Sequence, residues 1–406
     1  MKKSKKQAAI GFIFITMLID IIGWGIIIPV IPSLIKELIH SDISEAAKYG
    51  GWLTFSYAIT QFIFAPIVGN LSDKFGRRPI LLVSLFAFSL DYMLLAFAPT
   101  ITWLFVGRIF AGITGASITT ASAYIADIST SENRAKNFGL IGAAFGLGFI
   151  IGPVIGGLLG QYGSRVPFYA AAILCMLNFL YGYFILPESL DKENRRNFEW
   201  KRANPIGAFM HLKKYPNLIG LIIAIFILYV GSHAVQSNWS FYTMYRFNWD
   251  ERMVGISLGI IGLLVGLVQG VLIRWINPKI GNVKSIYIGL LLYTIGMFLF
   301  AFATESWMIF IFLIPYCLGG IAGPALQAVV SENVKPSEQG EIQGVLASLM
   351  SASAIIGPPM MAYVFYFFTH EDAPFKFPGA PFVLGGTLML VSTVLAYRTL
   401  KRNHRK

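Results

Sequence analysis

Long apolar runs separated by short polar segments dominate the chain. About 20 apolar residues in a helix are enough to cross the ~30 Å hydrocarbon core of a bilayer. The pattern therefore predicts an all-α polytopic membrane protein with twelve transmembrane helices. The predicted spans cover residues 8–38, 48–70, 79–98, 100–126, 138–160, 166–186, 217–239, 253–275, 284–303, 306–329, 342–367 and 379–399.

One long polar stretch, from Pro187 to about Pro216, divides the spans into six and six. This division predicts a six-helix half at residues 1–190, a central cytoplasmic loop at 191–215 and a second six-helix half at 216–406.

The two halves show faint internal repetition. Residues 112–115 read Gly-Ile-Thr-Gly, and residues 320–323 read Gly-Ile-Ala-Gly. A Gly-Pro pair at 152–153 has a counterpart at 357–358. Two parallel six-helix repeats are the pattern of the major facilitator fold, whose substrate site lies between the halves near the middle of the membrane.

Composition supports a lipid environment. Of the 406 residues, 56% are hydrophobic and 13% are charged, whereas a soluble domain carries roughly 25% charged residues. A large soluble core is therefore excluded. The two cysteines, Cys175 and Cys317, lie inside apolar runs, so we interpret them as packing residues and not as a disulfide.

The basic residues predict the orientation. With both termini in the cytoplasm, 25 of the 32 Lys and Arg residues fall on the cytoplasmic side, as the positive-inside rule requires. The net charge of +12 thus marks cytoplasmic loops and does not indicate nucleic-acid binding. The basic start runs into an apolar segment longer than a cleaved signal peptide, so we expect it to be the first span. The predicted location is the cell membrane.

A charged motif joins spans 2 and 3. Residues 69–79 read Gly-Asn-Leu-Ser-Asp-Lys-Phe-Gly-Arg-Arg-Pro, which matches the major facilitator signature Gly-x-Leu-(Ser/Ala)-Asp-(Arg/Lys)-x-Gly-Arg-(Arg/Lys)-Pro at every specified position. Asp73 at a helix end can accept hydrogen bonds from a neighbouring helix N-terminus, where the dipole favours negative charge. The basic residues can pair with Asp127. The predicted gate residues are Gly69, Asp73, Arg77, Arg78 and Asp127; the alternative is a turn whose charges only orient the chain.

Span 5 is rich in glycine around a proline. Its residues resemble the antiporter signature Gly-x-x-x-Gly-Pro-x-x-Gly-Gly of the same superfamily, which is associated with exporters. Proline removes a backbone hydrogen bond and bends a helix, and the glycines allow close contact with the opposing half; ordinary small-residue packing is the alternative. The motif residues are Gly148, Gly152, Pro153, Gly156 and Gly157.

Further segments resemble the tetracycline-resistance-like branch of the twelve-helix drug:proton antiporters. The resemblance is dense from residue 18 to about 190 and thinner afterwards. It implies proton-coupled export. The segments are 18–25, Tyr57 with Gln61, 89–92, 107–115, 247–250 and 339–344.

Three ionisable residues fall at membrane depth in the first half: Asp20, Asp91 and Arg108. At a rise of 1.5 Å per residue, each lies ~18 Å above the inner end of its span, so they can meet at one level. Burial disfavours a charged carboxylate and a nearby arginine favours it. A carboxyl group balanced between the two can load and release a proton. The alternative is a static structural ion pair.

Other polar residues within the spans are candidates for the substrate cavity, although each could instead form an interhelical hydrogen bond. For the histidine, a packed neutral ring is the alternative to titration. These candidates are Tyr57, Gln61, Asn178, His233, Gln236, Gln269 and Gln327.

The second half departs from the tetracycline exporters. Those proteins carry a histidine in helix 8 and an acidic residue in helix 9, and the aligned positions here hold Val265 and Tyr293. Neither can exchange a proton at neutral pH. We therefore expect a lipophilic or weakly polar ligand, and not metal-chelated tetracycline as the main substrate.

The sequence favours a secondary transporter that exports a small amphipathic or lipophilic organic compound by alternating access, with the compound, protons and the lipid bilayer as partners. We expect no cofactor, no metal, no enzymatic activity, no nucleic-acid partner and function as a monomer. Proton-coupled uptake of a metabolite, a non-transporting receptor of the same fold and an intramembrane enzyme are the alternatives. The sequence of the spans has no metal-binding cluster and no nucleophile constellation of the kind that an intramembrane enzyme needs. It also has no phosphate-binding glycine loop of the kind that an ATP-driven pump needs.

Overall fold

A computed structural model gives the fold of the chain. It describes residues 2–115, 117–130, 133–200, 204, 207, 214–335 and 338–403. Of the predicted central loop at 191–215, the stretch 201–203 with Lys201 and Arg202 lies outside the described residues, as do 205–206 and 208–213.

The described residues form sixteen α-helices. They are α1 (Lys2–Ile27), α2 (Ile31–Ile39), α3 (Ile43–Phe75), α4 (Arg77–Phe97), α5 (Ile101–Thr114), α6 (Ser117–Ile128), α7 (Arg134–Gly160), α8 (Val166–Ile185), α9 (Ile219–Gln236), α10 (Trp239–Phe247), α11 (Glu251–Leu267), α12 (Ile273–Ala301), α13 (Ser306–Leu318), α14 (Ala322–Glu332), α15 (Gln339–Phe367) and α16 (Ala380–Asn403). Short 3₁₀ turns occupy Lys192–Asn194 and Gly319–Ile321, and a π-helical turn occupies Val268–Leu272.

Eleven helical runs among the described residues are long and apolar enough to cross a membrane. One of them, Glu251–Ala301, has 51 residues. At 1.5 Å per residue it would extend ~77 Å, about twice what one crossing needs. It is broken at Gly281, whose φ of 80° is not helical. The run therefore provides two crossings, in agreement with the twelve predicted spans.

The first predicted span is shorter than expected. The sequence pattern placed one helix over 8–38, but α1 ends at Ile27 and α2 begins at Ile31. Pro29 lies in the intervening turn and Pro32 in the first turn of α2. Proline cannot donate a helical hydrogen bond and is tolerated only near a helix start, which explains the break.

The repeated glycine segments coincide with two helix breaks. Span 4 is interrupted at Gly115, the C-cap of α5. Span 10 is interrupted by the 3₁₀ turn Gly319–Ile321. The internal repetition of the sequence thus extends to a local change of helix geometry in each half.

The chain packs as two compact units, which differ slightly from the predicted halves. Residues 41–55 of the first half pack with the second unit, and residues 250–262 of the second half pack with the first. The boundaries at 190/191 and 215/216 stay predictions. The first unit consists of Met1–His40, Ser56–Pro205 and Asp250–Gly262, and the second of Ser41–Phe55, Ile206–Trp249 and Leu263–Lys406.

In the first unit, α1 is the central helix and contacts α6, α7 and α8. Its apolar face buries Ile13 and Met17. Phe12 stacks on Tyr181 of α8 with ring centroids 3.9 Å apart. Tyr124 of α6 is fully buried in the same core.

In the second unit, α16 packs against α9 and α12 around an aromatic cluster. Tyr242 and Phe382 meet edge to face with centroids 4.6 Å apart, and Trp239 contacts Phe300 at 5.1 Å. The hydroxyl of Tyr242 donates to the Phe300 carbonyl at 2.6 Å. Buried tyrosine needs such a partner because an unpaired hydroxyl is costly in an apolar interior.

Helices α1 and α7 approach most closely at glycines. A methyl group at Gly156 would lie 1.9 Å from the carbonyl oxygen of Ile26, and one at Gly152 would lie 2.8 Å from the Cα of Gly25. Any side chain at these positions would force the two helices apart. Gly146 on the same helix has no such neighbour within 4 Å.

We predict that Gly156→Val lowers the stability of the protein strongly and that Gly146→Val does so only weakly. Overpacking a tight contact costs about 1–3 kcal/mol or more, because here the backbone of α1 must move. Thermal unfolding of both variants in detergent tests this. Equal midpoints for the two variants would contradict the packing of α1 on α7.

Candidate functional site

A buried ion pair lies at membrane depth in the first unit. Arg108 of α5 donates from its guanidinium to the carboxylate of Asp91 of α4. Asp91 is fully buried, and the side chain of Arg108 is 11% exposed. Gly107 allows the approach of the two helices, since a Cβ there would lie 2.6 Å from Oδ1 of Asp91.

Asp20 of α1 lies in the same region but has a different partner. Its Oδ2 accepts a hydrogen bond of 2.7 Å from the hydroxyl of Ser117 at the start of α6. The guanidinium of Arg108 lies over the ring of Tyr57 in α3. Gln61 of the same helix links the Tyr57 hydroxyl to the carbonyl of Gly115, two residues before Ser117. The structure therefore brings the three ionisable residues into one region of the unit.

Tyr57 and Gln61 of α3 border this charged group. The Gln61 amide donates to the Tyr57 hydroxyl at 2.9 Å and to the carbonyl of Gly115 at 3.0 Å. The guanidinium of Arg108 lies over the Tyr57 ring, 6.0 Å from its centroid, at the limit of a cation–π contact. Gln61 thereby ties α3 to the helix break between α5 and α6.

Each side chain of the ion pair has one buried polar atom that is available for a further hydrogen bond. Among the described residues, Oδ1 of Asp91 and Nε of Arg108 are buried and have no hydrogen-bond partner. An unpaired carboxylate oxygen beside a cation can take up a proton or a polar ligand group. We refer to Asp20, Asp91, Arg108 and Tyr57 as the central cluster.

Three of the five predicted gate residues, Asp73, Arg77 and Asp127, come together where α3 ends and α4 begins. Arg77 lies 2.5 Å from Asp73 and donates to Asp127 of α6 at 3.1 Å. It also donates to the hydroxyl of Ser72 at 2.6 Å. Arg78 points elsewhere and donates to the carbonyl of Tyr183 at 2.6 Å. Gly69 has no atom near its Cβ position.

Glu188, which the sequence did not single out, occupies the N-terminus of α4. Its carboxylate accepts from the backbone N–H of Arg77 at 2.9 Å and of Arg78 at 3.3 Å. From the sequence we expected Asp73 to accept hydrogen bonds from a helix N-terminus. In the structure the Asp73 carboxylate pairs with the Arg77 side chain instead. Glu188 lies two residues after predicted span 6, and an acidic residue at the start of a basic loop was the available signal. Its negative charge is favourable at a helix N-terminus.

The glycine-rich motif of α7 has a different helix on each side. Gly148, Gly152 and Gly156 face α1, where a Cβ at Gly148 would lie 2.6 Å from Ile21. On the other side, a Cβ at Gly157 would lie 2.4 Å from the carbonyl of Glu251 at the start of α11. Pro153 contacts the same helix: a Cβ added at Gly255 of α11 would lie 2.3 Å from the carbonyl oxygen of Pro153. Residues 251–262 of the second sequence half therefore pack directly on the motif.

The other polar candidates do not converge. Asn178 is fully buried and donates to the Thr16 carbonyl at 2.9 Å, as a helix-packing residue does. In the second unit, His233 packs on Gly357, and Gln236 donates to the Ser232 hydroxyl at 3.2 Å.

Two further candidates lie in the second unit. Gln327 donates to the hydroxyl of Tyr229 at 2.8 Å. Gln269 is exposed and lies in the π-helical turn Val268–Leu272. Such turns occur often at functional sites, and this one was not foreseen from the sequence.

Comparison with known proteins finds relatives over most of the chain. The Major Facilitator Superfamily profile matches residues 13–358 and 247–406. The chain is 39% identical over 387 residues to the class C tetracycline resistance protein of Escherichia coli, covering 95% of this chain and 96% of the relative. It is 38% identical to the class B protein of Escherichia coli, covering 86% of each. Multidrug resistance protein 2 of Bacillus subtilis is 29% identical, covering 96% of this chain and 97% of that protein.

Solved structures agree with the fold. The nucleoside transporter NupG superposes with a TM-score of 0.76 at 16% identity, covering 97% of this chain and 98% of that one. The human organic anion transporter MFSD10 gives a TM-score of 0.70 at 22% identity, covering 96% and 99%. At these identities the likeness concerns the fold alone. Together with the family profile, it confirms the predicted twelve-helix fold. The tetracycline and multidrug resistance relatives confirm the predicted drug-export class and do not favour metabolite uptake.

We predict that Arg108→Gln destabilises the protein and that the double variant Asp91→Asn/Arg108→Gln restores much of the loss. Removing one partner of a buried ion pair costs about 3–5 kcal/mol because the remaining charge is uncompensated, whereas replacing both partners is far less costly. Thermal unfolding of the single and double variants measures this. Strictly additive losses would mean that the two side chains do not pair.

Proposed function

Because the chain belongs to the Major Facilitator Superfamily, and within it to the tetracycline-resistance-like branch, we propose that it exports a small amphipathic or lipophilic compound in exchange for protons, by alternating access and without enzymatic activity. The chain is a multi-pass protein of the inner membrane. Within that frame we propose cytoplasmic termini, which the distribution of Lys and Arg supports, and function as a monomer in the bilayer.

The observation that carries this proposal is the central cluster. An ion pair and a second carboxylate inside a membrane-spanning unit are costly, and such residues mark proton or substrate pathways by default. A receptor that transports nothing needs no titratable carboxylates at this depth. An uptake carrier does not need the exporter-associated glycine motif of α7.

In this mechanism Asp91 and Asp20 carry the protons. With Asp91 charged, Arg108 is held by the ion pair, as the structure has it. Protonation of Asp91 removes the charge that holds Arg108, so the guanidinium can turn towards Tyr57 or a ligand. Among the residues that the structure describes, the partner of the Asp20 carboxylate is the Ser117 hydroxyl, so protonation of Asp20 can change the contact between α1 and α6 without breaking an ion pair.

The gate residues control access from the cytoplasmic side. Arg77 joins α3, α4 and α6 through Asp73 and Asp127. Glu188 fixes the start of α4 in the same place. We propose that this network holds one conformation and loosens in the other, so that the proton and the substrate cross at different times.

The substrate is proposed to be lipophilic or weakly polar. Val265 and Tyr293 stand where the tetracycline exporters have ionisable residues, and Tyr293 packs against Gly319 and Tyr316, with the two tyrosine rings 5.2 Å apart. This region therefore offers apolar and aromatic surface. Relatives named for resistance to tetracycline and to multiple drugs fit an organic compound of this kind.

We predict that Asp20→Asn and Asp91→Asn abolish uphill transport while substrate binding partly survives, because the amide cannot exchange a proton. Labelled lipophilic drugs in proteoliposomes with an imposed pH gradient test this. Thr393→Val, which removes a hydrogen bond to the Met389 carbonyl within α16 of the second unit, is the control and should retain coupling. Both aspartate variants driving accumulation at wild-type rates would refute the assignment.

A second prediction concerns the ligand. Expression in a sensitive, efflux-deficient bacterium should raise resistance to lipophilic drugs more than to tetracycline. If tetracycline resistance rises strongly and His233→Ala leaves it intact, the argument from Val265 and Tyr293 fails. Loss of that resistance in the variant would instead assign the missing ionisable role to His233.

A further inference from the structure

The start of the central loop runs back along α3 and does not project freely from the end of span 6. The backbone N–H of Arg196 donates to the carbonyl of Asp73 at 3.1 Å. The side chain of Asn70 then donates to the carbonyl of Glu199 at 2.7 Å. The loop therefore follows α3 from its end towards its middle. We call residues 195–200 the strap.

The strap is attached to the gate at its first residue as well. Arg195 lies 3.9 Å from Glu188, the residue that caps α4. Gly76 is confined between them, since a Cβ there would lie 2.3 Å from Glu188 and 3.0 Å from Arg195. Its φ of 106° also favours glycine. Since Gly76 joins α3 to α4, a displacement of the strap would shift Gly76 and Glu188 and with them the start of α4.

The depth of the strap can be estimated from α3. This helix has 33 residues, so it is ~50 Å long, whereas the hydrocarbon core is ~30 Å and the bilayer with headgroups ~40–45 Å. Asn70 lies five residues, or ~7.5 Å, from the end of α3. It is also the first strongly polar residue after the apolar run 62–69. Both estimates place Asn70, and Glu199 beside it, in the headgroup region.

The residues next to Glu199 suit that depth. Trp200 is 74% exposed, and its ring meets Phe198 edge to face with centroids 5.0 Å apart. Tryptophan is enriched at the membrane–water interface because its ring is apolar and its N–H is polar.

We propose that Trp200 and Phe198 anchor the strap in the headgroup region of the bilayer and thereby couple the membrane surface to the gate. The bound partner is phospholipid. The anchor holds the strap on α3, and the strap holds Glu188 and Gly76 at the start of α4. That this surface faces the inner leaflet rests on the cytoplasmic orientation proposed above; the anchoring itself does not depend on transport.

Depth is tested by placing a fluorophore at Glu199→Cys, an exposed position between the two anchor residues, with Glu193→Cys in the exposed 3₁₀ turn as the matched site. The native Cys175 and Cys317 are buried and do not compete for label. In phospholipid vesicles, lipids carrying a quencher high on the acyl chain should quench the label at residue 199 roughly twofold more than the label at residue 193. Equal quenching at both sites, with equal access to aqueous iodide, would overturn the proposal.

Coupling to the gate is tested without any substrate. In lipid nanodiscs, Phe198→Ser/Trp200→Ser should increase hydrogen exchange of residues 69–78 by several-fold, because the strap leaves α3. Trp275→Ser is the matched control, since Trp275 is 70% exposed and belongs to the second unit. Trp200→Tyr should behave as wild type. Unchanged exchange in the double variant would refute the coupling, whether or not the chain exports drugs.

Discussion

The cost of holding charge in a low-dielectric membrane interior constrains the whole first unit. Asp91 and Arg108 tolerate their position because each neutralises the other, and Gly107 lets α4 and α5 approach closely enough for them to do so. A charge at bilayer depth without a partner costs at least about 3 kcal/mol. Protonation of Asp91 leaves Arg108 without its counter-charge, and we propose that this lets a proton change the conformation.

The gate has the opposite environment. Its charges lie at helix ends, where water and headgroups reduce the cost of each charge, and several partners share Arg77. Loss of one partner there should alter the balance between conformations more than the stability of the fold. The central cluster and the gate thus contain the same residue types in different dielectric environments. In the buried cluster a lost partner should mainly affect stability, and at the gate it should mainly affect the balance between conformations.

Much of the fold could be predicted from the sequence because lipid imposes a simple rule: apolar runs of fixed length must be helices. The same rule could not locate breaks within a run. The turn at 28–30 could have been predicted only from Pro29 and Pro32, which the length of the apolar run outweighed. The π-helical turn around Gln269 leaves no pattern in the sequence.

The site was predictable only in part. Asp20, Asp91 and Arg108 stand out because charge is rare in apolar runs. Glu188 does not, since it lies in a polar loop and acts 111 residues away from Arg77. For the same reason, the packing of residues 41–55 with the second unit could not be foreseen, because it depends on long-range contacts.

The central claim is that drug and proton move in opposite directions through one protein. It is tested most directly by recording both fluxes together in proteoliposomes, with a pH-sensitive dye in the lumen and a lipophilic fluorescent drug as substrate. The account predicts that drug movement in one direction produces proton movement in the other, at a fixed ratio, and that Asp91→Asn abolishes the proton flux. Drug movement with no accompanying proton flux in the wild-type protein would contradict it.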